Sequence, residues 1–198
     1  MGRWPEGART RLEAAALALF IEQGFAETTV PQIAARAGLT TRTFFRHFAD
    51  KREVLFAYQA ELPDVVRQVM AAAPQSAGAL EVIATSLRTI AETKFDGRRD
   101  YLLAHQAVID ADAGLRERGL RKMSILTEAI SHGFRERGLD DLGATLAAHT
   151  AVTVFSVALD RWLGAADETS LSTHVSDTLA AWKSLGRPEP EANGRANN

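Results

Sequence analysis

The stretch from Thr28 to Lys51 constrains this chain more than any other, because its residues permit two short helices and a tight turn. In its first half Val30, Ile33, Ala34 and Ala37 recur at i, i+3, i+4 and i+7, which is one face of a helix. Thr28 or Thr29 can cap the orphan amides of that helix, and Pro31 suits its first turn, where the missing N–H costs nothing. Gly38 falls where a helix ends in left-handed backbone.

A second helix opens at Thr40, a good N-cap. Phe44 and Phe48, four apart, point into a core. Arg42 and Arg46, and likewise Thr43 and His47, are spaced to share the opposite face. An apolar back and a front of two arginines, a threonine and a histidine fit a helix-turn-helix whose second helix enters the major groove of DNA.

The rest of the chain reads as helices. Residues 1–8 form a disordered arm whose Arg3 is within reach of DNA, and helix 1 covers 9–24 with Leu12, Ala15, Ala16, Leu19 and Phe20 buried. Asp50, with Glu53 three residues on, caps a fourth helix that runs toward Ala73 and breaks at Pro63, near Leu62. Further helices are expected at about 77–95, 99–110, 113–137, from Asp140 to Ala165, and at 170–184. The tail 186–198, rich in Pro, Glu, Gly and Asn, reads as disordered. The predicted fold is all-α with about nine helices.

Composition narrows the function. Net charge is −2, but residues 1–52 carry eight Lys/Arg against five Asp/Glu, while residues 53–198 carry fifteen against twenty. A basic start on an acidic body fits a localised DNA-facing surface, although an asymmetry this small also arises by chance. There is no cysteine, hence no disulfide, thiolate metal site or cysteine nucleophile. No apolar run approaches the ~18 residues of a membrane span and no signal peptide opens the chain, which reads as cytoplasmic.

Catalytic chemistry finds no footing. The histidines His47, His105, His132, His149 and His174 lack a second His at i+3 or i+4, so no metal is expected. Asp110 and Asp112 point to different sides of a helix, and Ser124, Ser131 and Ser156 lie outside any nucleophile motif. No phosphate loop exists and no cofactor is expected. The chain reads as no enzyme.

Residues 9–60 resemble the N-terminal domain of the tetracycline-repressor (TetR) family of transcription regulators. The matching pieces are Ala16, Phe20, Gly24, Phe25 and Thr28-Thr29-Val30, then Ile33-Ala34 and Ala37-Gly38-Leu39, then Thr43-Phe44-Phe45-Arg46-His47-Phe48, Lys51 and Leu55. The resemblance implies a three-helix DNA-binding domain over 6–60, its helix-turn-helix at about 29–48, and a helical effector-binding and dimerisation domain over 61–185.

It also implies site residues. Thr41, Arg42 and Thr43 fall at base-edge positions, His47 and Lys51 at phosphate-contacting positions, and Gln32 on the helix facing the backbone. Phe45 stands where tyrosine is usual and loses a hydroxyl; Arg46 stands where an aromatic is frequent and adds a charge. Phe95, Tyr101, Phe134, Phe155, Trp162 and Met123 read as ordinary core, or, by the resemblance, as the wall of an effector cavity with His105, Gln106, Thr127 and His149 as polar contacts. Val154, Val157, Val175, Thr178, Leu179 and Trp182 complete a monomer core, or, by the resemblance, lie in a four-helix homodimer interface.

The expected partners are therefore operator DNA, a small, largely apolar effector and a second copy of the chain, with no membrane. A ligand-responsive regulator, most simply a repressor, is the resulting expectation. A helical small-molecule-binding protein or enzyme, and an architectural DNA-binding protein without effector, are the competing readings; shape-only binding calls for more basic charge than this.

Overall fold

Six helices begin where a Thr, Asp or Ser side chain accepts a proton from an amide of the first turn: Thr29, Thr40, Asp50, Asp112, Asp140 and Ser170. The computed structural model describes residues 7–57, 61–95 and 97–185, and among these every regular element is helical. In order they are α1 (Ala8–Gln23), α2 (Val30–Arg36), α3 (Thr41–His47), α4 (Lys51–Leu55), α5 (Leu62–Ala72), α6 (Ala79–Ile90), α7 (Arg99–Asp110), α8 (Ala113–Glu136), α9 (Asp141–Gly164) and α10 (Leu171–Ser184). A π-helical turn, Ala91–Phe95, extends α6.

The expected boundaries hold closely, with one difference. The helix expected from Asp50 to Ala73 is two helices, and that division brings the described count to ten. The first helix ends at Leu55, well before Pro63, which instead lies in the first turn of α5, where it costs no hydrogen bond. The expected arm lies mostly, and the expected tail wholly, outside the described residues.

Two apolar cores result. One gathers Leu12, Phe20, Ile33, Phe44, Phe48 and Phe56 from α1–α4 and the residues just after, and takes in Val108 of α7 and Leu115 of α8. The other joins α5, α6, α8, α9 and α10 around Ile83, Phe134, Ala148, Val154 and Val175. Because α7 and α8 contribute to the first core, the N-terminal helices are seated on the larger lobe rather than tethered to it.

Helix α9 is long and apolar enough to cross a membrane by length and composition. Its small residues Ala144, Ala147, Ala148, Ala151 and Ala158 instead let α8 and α10 pack against it within the bundle.

That packing corrects most of the expected dimer face. Val154, Val175, Thr178 and Leu179 are buried within the protomer and unavailable to a second copy. Trp182 is half-buried against the same core. Of the six, Val157 points outward, in line along α9 with the exposed Leu142, Leu146, His149 and Thr153.

Candidate DNA interface and effector cavity

The helix-turn-helix is fixed from behind. Arg11 of α1 donates to the carbonyls of Ala37 and Gly38, so the turn is held against α1. Gly38 has φ +65°, a left-handed backbone that favours glycine, and a Cβ there would come within 2.8 Å of the Arg11 guanidinium, which would have to shift. Glu22 and Arg36 form a two-point pair at 2.9 and 2.6 Å that ties α1 to α2 and holds the exposed Glu22 carboxyl below its usual range.

The front of α3 is open. Phe44 and Phe48 are buried while Thr41, Arg42, Phe45, Arg46 and His47 are exposed and Thr43 is half-exposed. Among the described residues neither arginine has a hydrogen-bond or ion-pair partner, so both guanidiniums are available to an incoming polyanion. Thr43 donates its amide to Thr40 Oγ1, and the two hydroxyls lie 3.0 Å apart. Phe45 packs edge-on to Phe44 at 5.5 Å but leaves 58% of itself to solvent.

Two of the expected DNA contacts have other work. Gln32 Oε1 accepts from the Thr29 amide at 2.8 Å and from its hydroxyl, closing a capping box around the start of α2. Lys51 is a correction. Its ammonium donates to the carbonyls of Phe25, Ala26 and Thr28 at 2.7, 3.0 and 2.7 Å and lies 4.5 Å from the Phe25 ring centroid. An ammonium has three protons. All three are committed to the loop between α1 and α2, so Lys51 is an internal brace with no donor left for a phosphate.

Helix α4 joins this unit to the larger lobe. Glu53 accepts from Arg118 Nε at 2.7 Å on one oxygen and from Lys122 at 3.2 Å on the other. Partial burial works against its charge, and the bonds from Arg118 and Lys122 more than offset that, so its carboxyl stays below the usual range. At the end of α4 the Leu55 carbonyl lies 2.6 Å from His105 Nε2, deep in the joint with α7. A carbonyl only accepts, so Nε2 carries the proton. Burial pushes the His105 pKa down, the Leu55 bond pulls it up, and the Arg98 charge lowers it further.

Behind α4 opens a cavity of about 410 Å³. Its walls are apolar: Phe56, Leu62, Val66, Leu87, Ile90, Phe95, Ile109, Met123, Leu126, Ile130, Ala151, Val152, Phe155 and Leu159. Gln106, Asp110, Arg116, Ser156 and Asp160 supply its few polar groups, and Leu120, 73% exposed, stands at its solvent side. Gln106 donates to the Asp110 carboxylate at 3.1 Å, and Arg116 to the Asp110 carbonyl.

Of the residues named for an effector wall, Phe95, Met123, Phe155 and Gln106 line this space. The other expected contacts do not. Phe134 and Trp162 are buried core, Phe134 beside a separate void of about 30 Å³ and Trp162 with the Arg99 guanidinium 5.8 Å from its ring. Tyr101 lines a separate cavity of about 110 Å³, stacked on His105. His105 is engaged with Leu55. Thr127 returns its hydroxyl to the Met123 carbonyl at 2.9 Å, and His149 faces solvent on α9.

Phe56, Asp110, Arg116 and Asp160 went unforeseen. Gly119, in the middle of α8, faces Phe56: a Cβ there would make ordinary contact with its ring at 3.7 Å.

An exposed cationic helix clamped onto a bundle that encloses an apolar cavity defines a helix-turn-helix regulator. The comparisons agree. Residues 12–58 match the model of the bacterial regulatory proteins of the tetR family. Over those residues the chain is similar to the DNA-binding domain of the TetR family of transcriptional regulators. It is 25% identical over 197 residues to the HTH-type transcriptional regulator TcmR of Streptomyces glaucescens, which covers 90% of this chain and 87% of that one. It is similar to FadR of Thermus thermophilus, a TetR-family transcriptional repressor in complex with lauroyl-CoA, at 25% identity and TM-score 0.56, over 96% of this chain and 100% of that one. The fatty acid degradation regulator FadR of Bacillus halodurans shares the fold, with 16% identity and TM-score 0.55, over 91% of this chain and 95% of that one.

Proposed function

We propose that the chain is a homodimeric repressor that leaves its operator when a small, largely apolar molecule enters the cavity behind α4. One observation carries the reading: Phe56, fully buried, belongs both to the core of the DNA-binding helices and to the cavity wall. Whatever fills the cavity touches the DNA-binding unit directly. Residues 6–60 act as the DNA-binding domain and 61–185 as the effector and dimerisation domain.

Arg42 and Arg46 supply the charged front of α3, with Thr41, Thr43, Phe45 and His47 beside them. Arg42 reads a guanine edge, for which a planar fork of donors is suited. Gln32 and Lys51 hold the motif in shape. The exposed apolar positions Leu146 and Val157 of α9, beside α10, support a two-fold interface, and a two-fold dimer sets two recognition helices in successive major grooves about 34 Å apart. A lobe occupied by an effector alters that spacing. The role is regulatory and not enzymatic, carried out in the cytoplasm without a membrane.

The walls suit an apolar body of moderate size, and the relative from Thermus thermophilus was captured with lauroyl-CoA. The test has two stages. A duplex is selected in vitro from a random pool by the chain itself; a thermal-shift screen of apolar compounds, lauroyl-CoA included, then finds binders. At least one binder should release the selected duplex in a gel shift. Binders that stabilise the protein and leave DNA affinity untouched would refute the reading.

A further inference from the structure

We propose that the carboxylate of Glu53, bridged to Arg118 and Lys122 of α8, is the lever by which occupancy of the cavity is passed to the DNA-binding helices. The inference rests on the effector reading above and adds to it a specific transmitting contact.

Helix α8 has two working faces over the same two turns. Arg116, Gly119, Leu120 and Met123 line the cavity. Arg118 and Lys122, one turn apart, face Glu53 on α4. An occupant that displaces the cavity face of α8 therefore moves both cations, because a helix moves as a rigid body over so short a length. Gly119 faces Phe56 across this joint, where a Cβ would reach ordinary contact with the ring at 3.7 Å. Lys122 adds a second contact, its ammonium 5.8 Å from the centroid of that ring.

On the other side of the bridge the connection is short. Glu53 is six residues beyond His47, and both the Asp50 cap and the buried Phe48 lie between, so α3 and α4 form one stiff unit. The three bridge side chains are mostly shielded, at 22%, 35% and 21% exposed for Glu53, Arg118 and Lys122, which limits screening by salt. Coupling needs an element whose arrangement both sites bias, and this bridge touches both.

A double-mutant cycle tests it without a known effector. Val152→Trp, or Ser156→Trp at the more open side, fills the cavity from the α9 wall, as reduced binding of the dye 8-anilinonaphthalene-1-sulfonate verifies. Affinity for the selected duplex is measured with and without Glu53→Gln. Filling the cavity should weaken DNA binding about tenfold or more when Glu53 is present and less than about twofold when it is Gln. Lys122→Met, which keeps the Arg118 half of the bridge, should give an intermediate loss and covers the case in which Glu53→Gln does not fold. Equal fold-losses in all backgrounds would overturn the lever while leaving the effector reading intact. No loss in any background would overturn both.

Discussion

Lys51 Nζ lies 2.7 Å from the carbonyl oxygen of Thr28, and the residue that begins α4 thereby holds the start of the helix-turn-helix in place. Lys51→Met keeps the aliphatic stem and removes one donor from each of three carbonyls, of which that of Phe25 retains the Thr28 amide. It should lower unfolding stability by about 1–3 kcal/mol and leave the salt dependence of DNA binding unchanged. Chemical denaturation and a salt titration check both halves. A stable variant with a salt slope shallower by about one unit would restore the phosphate role.

Arg42 makes the opposite case, because none of the described residues holds it. Arg42→Ala should cost about 1–3 kcal/mol of specific binding and relax base preference at one position per half-site. Thermal stability should not change. Competition between the selected duplex and random duplexes separates the outcomes: parallel losses would make Arg42 a backbone contact.

His105 gives the joint between the lobes a pH dependence. Its folded pKa lies below the ordinary 6.5, so the unfolded chain binds the proton first on acidification. The stability conferred by the neutral ring is full above about 6.5 and declines as pH falls from there toward the lowered folded value. Between about pH 7 and about pH 5 the wild type should lose more unfolding free energy than His105→Gln, whose amide can still donate to Leu55 but does not titrate. Parallel pH profiles would show that His105 does not titrate in this window.

What the sequence disclosed, it disclosed locally. Thr40, Asp50 and Ser170 cap helices from one to three residues away, so spacing alone placed them, whereas it left Thr28 and Thr29 as alternatives for the cap that Thr29 provides; the faces of α3 followed from Phe44 and Phe48. Lys51 was misplaced because its partners lie 23 to 26 residues upstream, beyond any helical period. Val175 and Leu179 were misplaced for another reason: an apolar stripe reads the same whether it meets its own bundle or a second copy. The cavity demanded the third dimension. Aromaticity selected Phe95 and Phe155, which line it, but equally Phe134 and Trp162, which are buried elsewhere in the core; no local property distinguishes a side chain at this cavity from one beside a neighbour.

The dimer prediction moves accordingly. Leu146 is 59% and Val157 43% exposed, eleven residues apart on one face of α9, and an apolar face open to solvent in a protomer is where a second copy gains most by covering it. Replacing both with Arg places like charges across a two-fold axis, where each would meet its own copy. The double variant should sediment as a folded monomer with unchanged helicity and should lose tight binding to a two-half-site duplex, since one half-site offers too few contacts. Trp182→Glu should behave differently: that ring is packed against the core of its own protomer, so the added charge lowers the unfolding temperature rather than selectively dissociating the dimer. Sedimentation paired with thermal melts separates the two. A Leu146→Arg/Val157→Arg protein that remained dimeric would exclude this face of α9 from the interface.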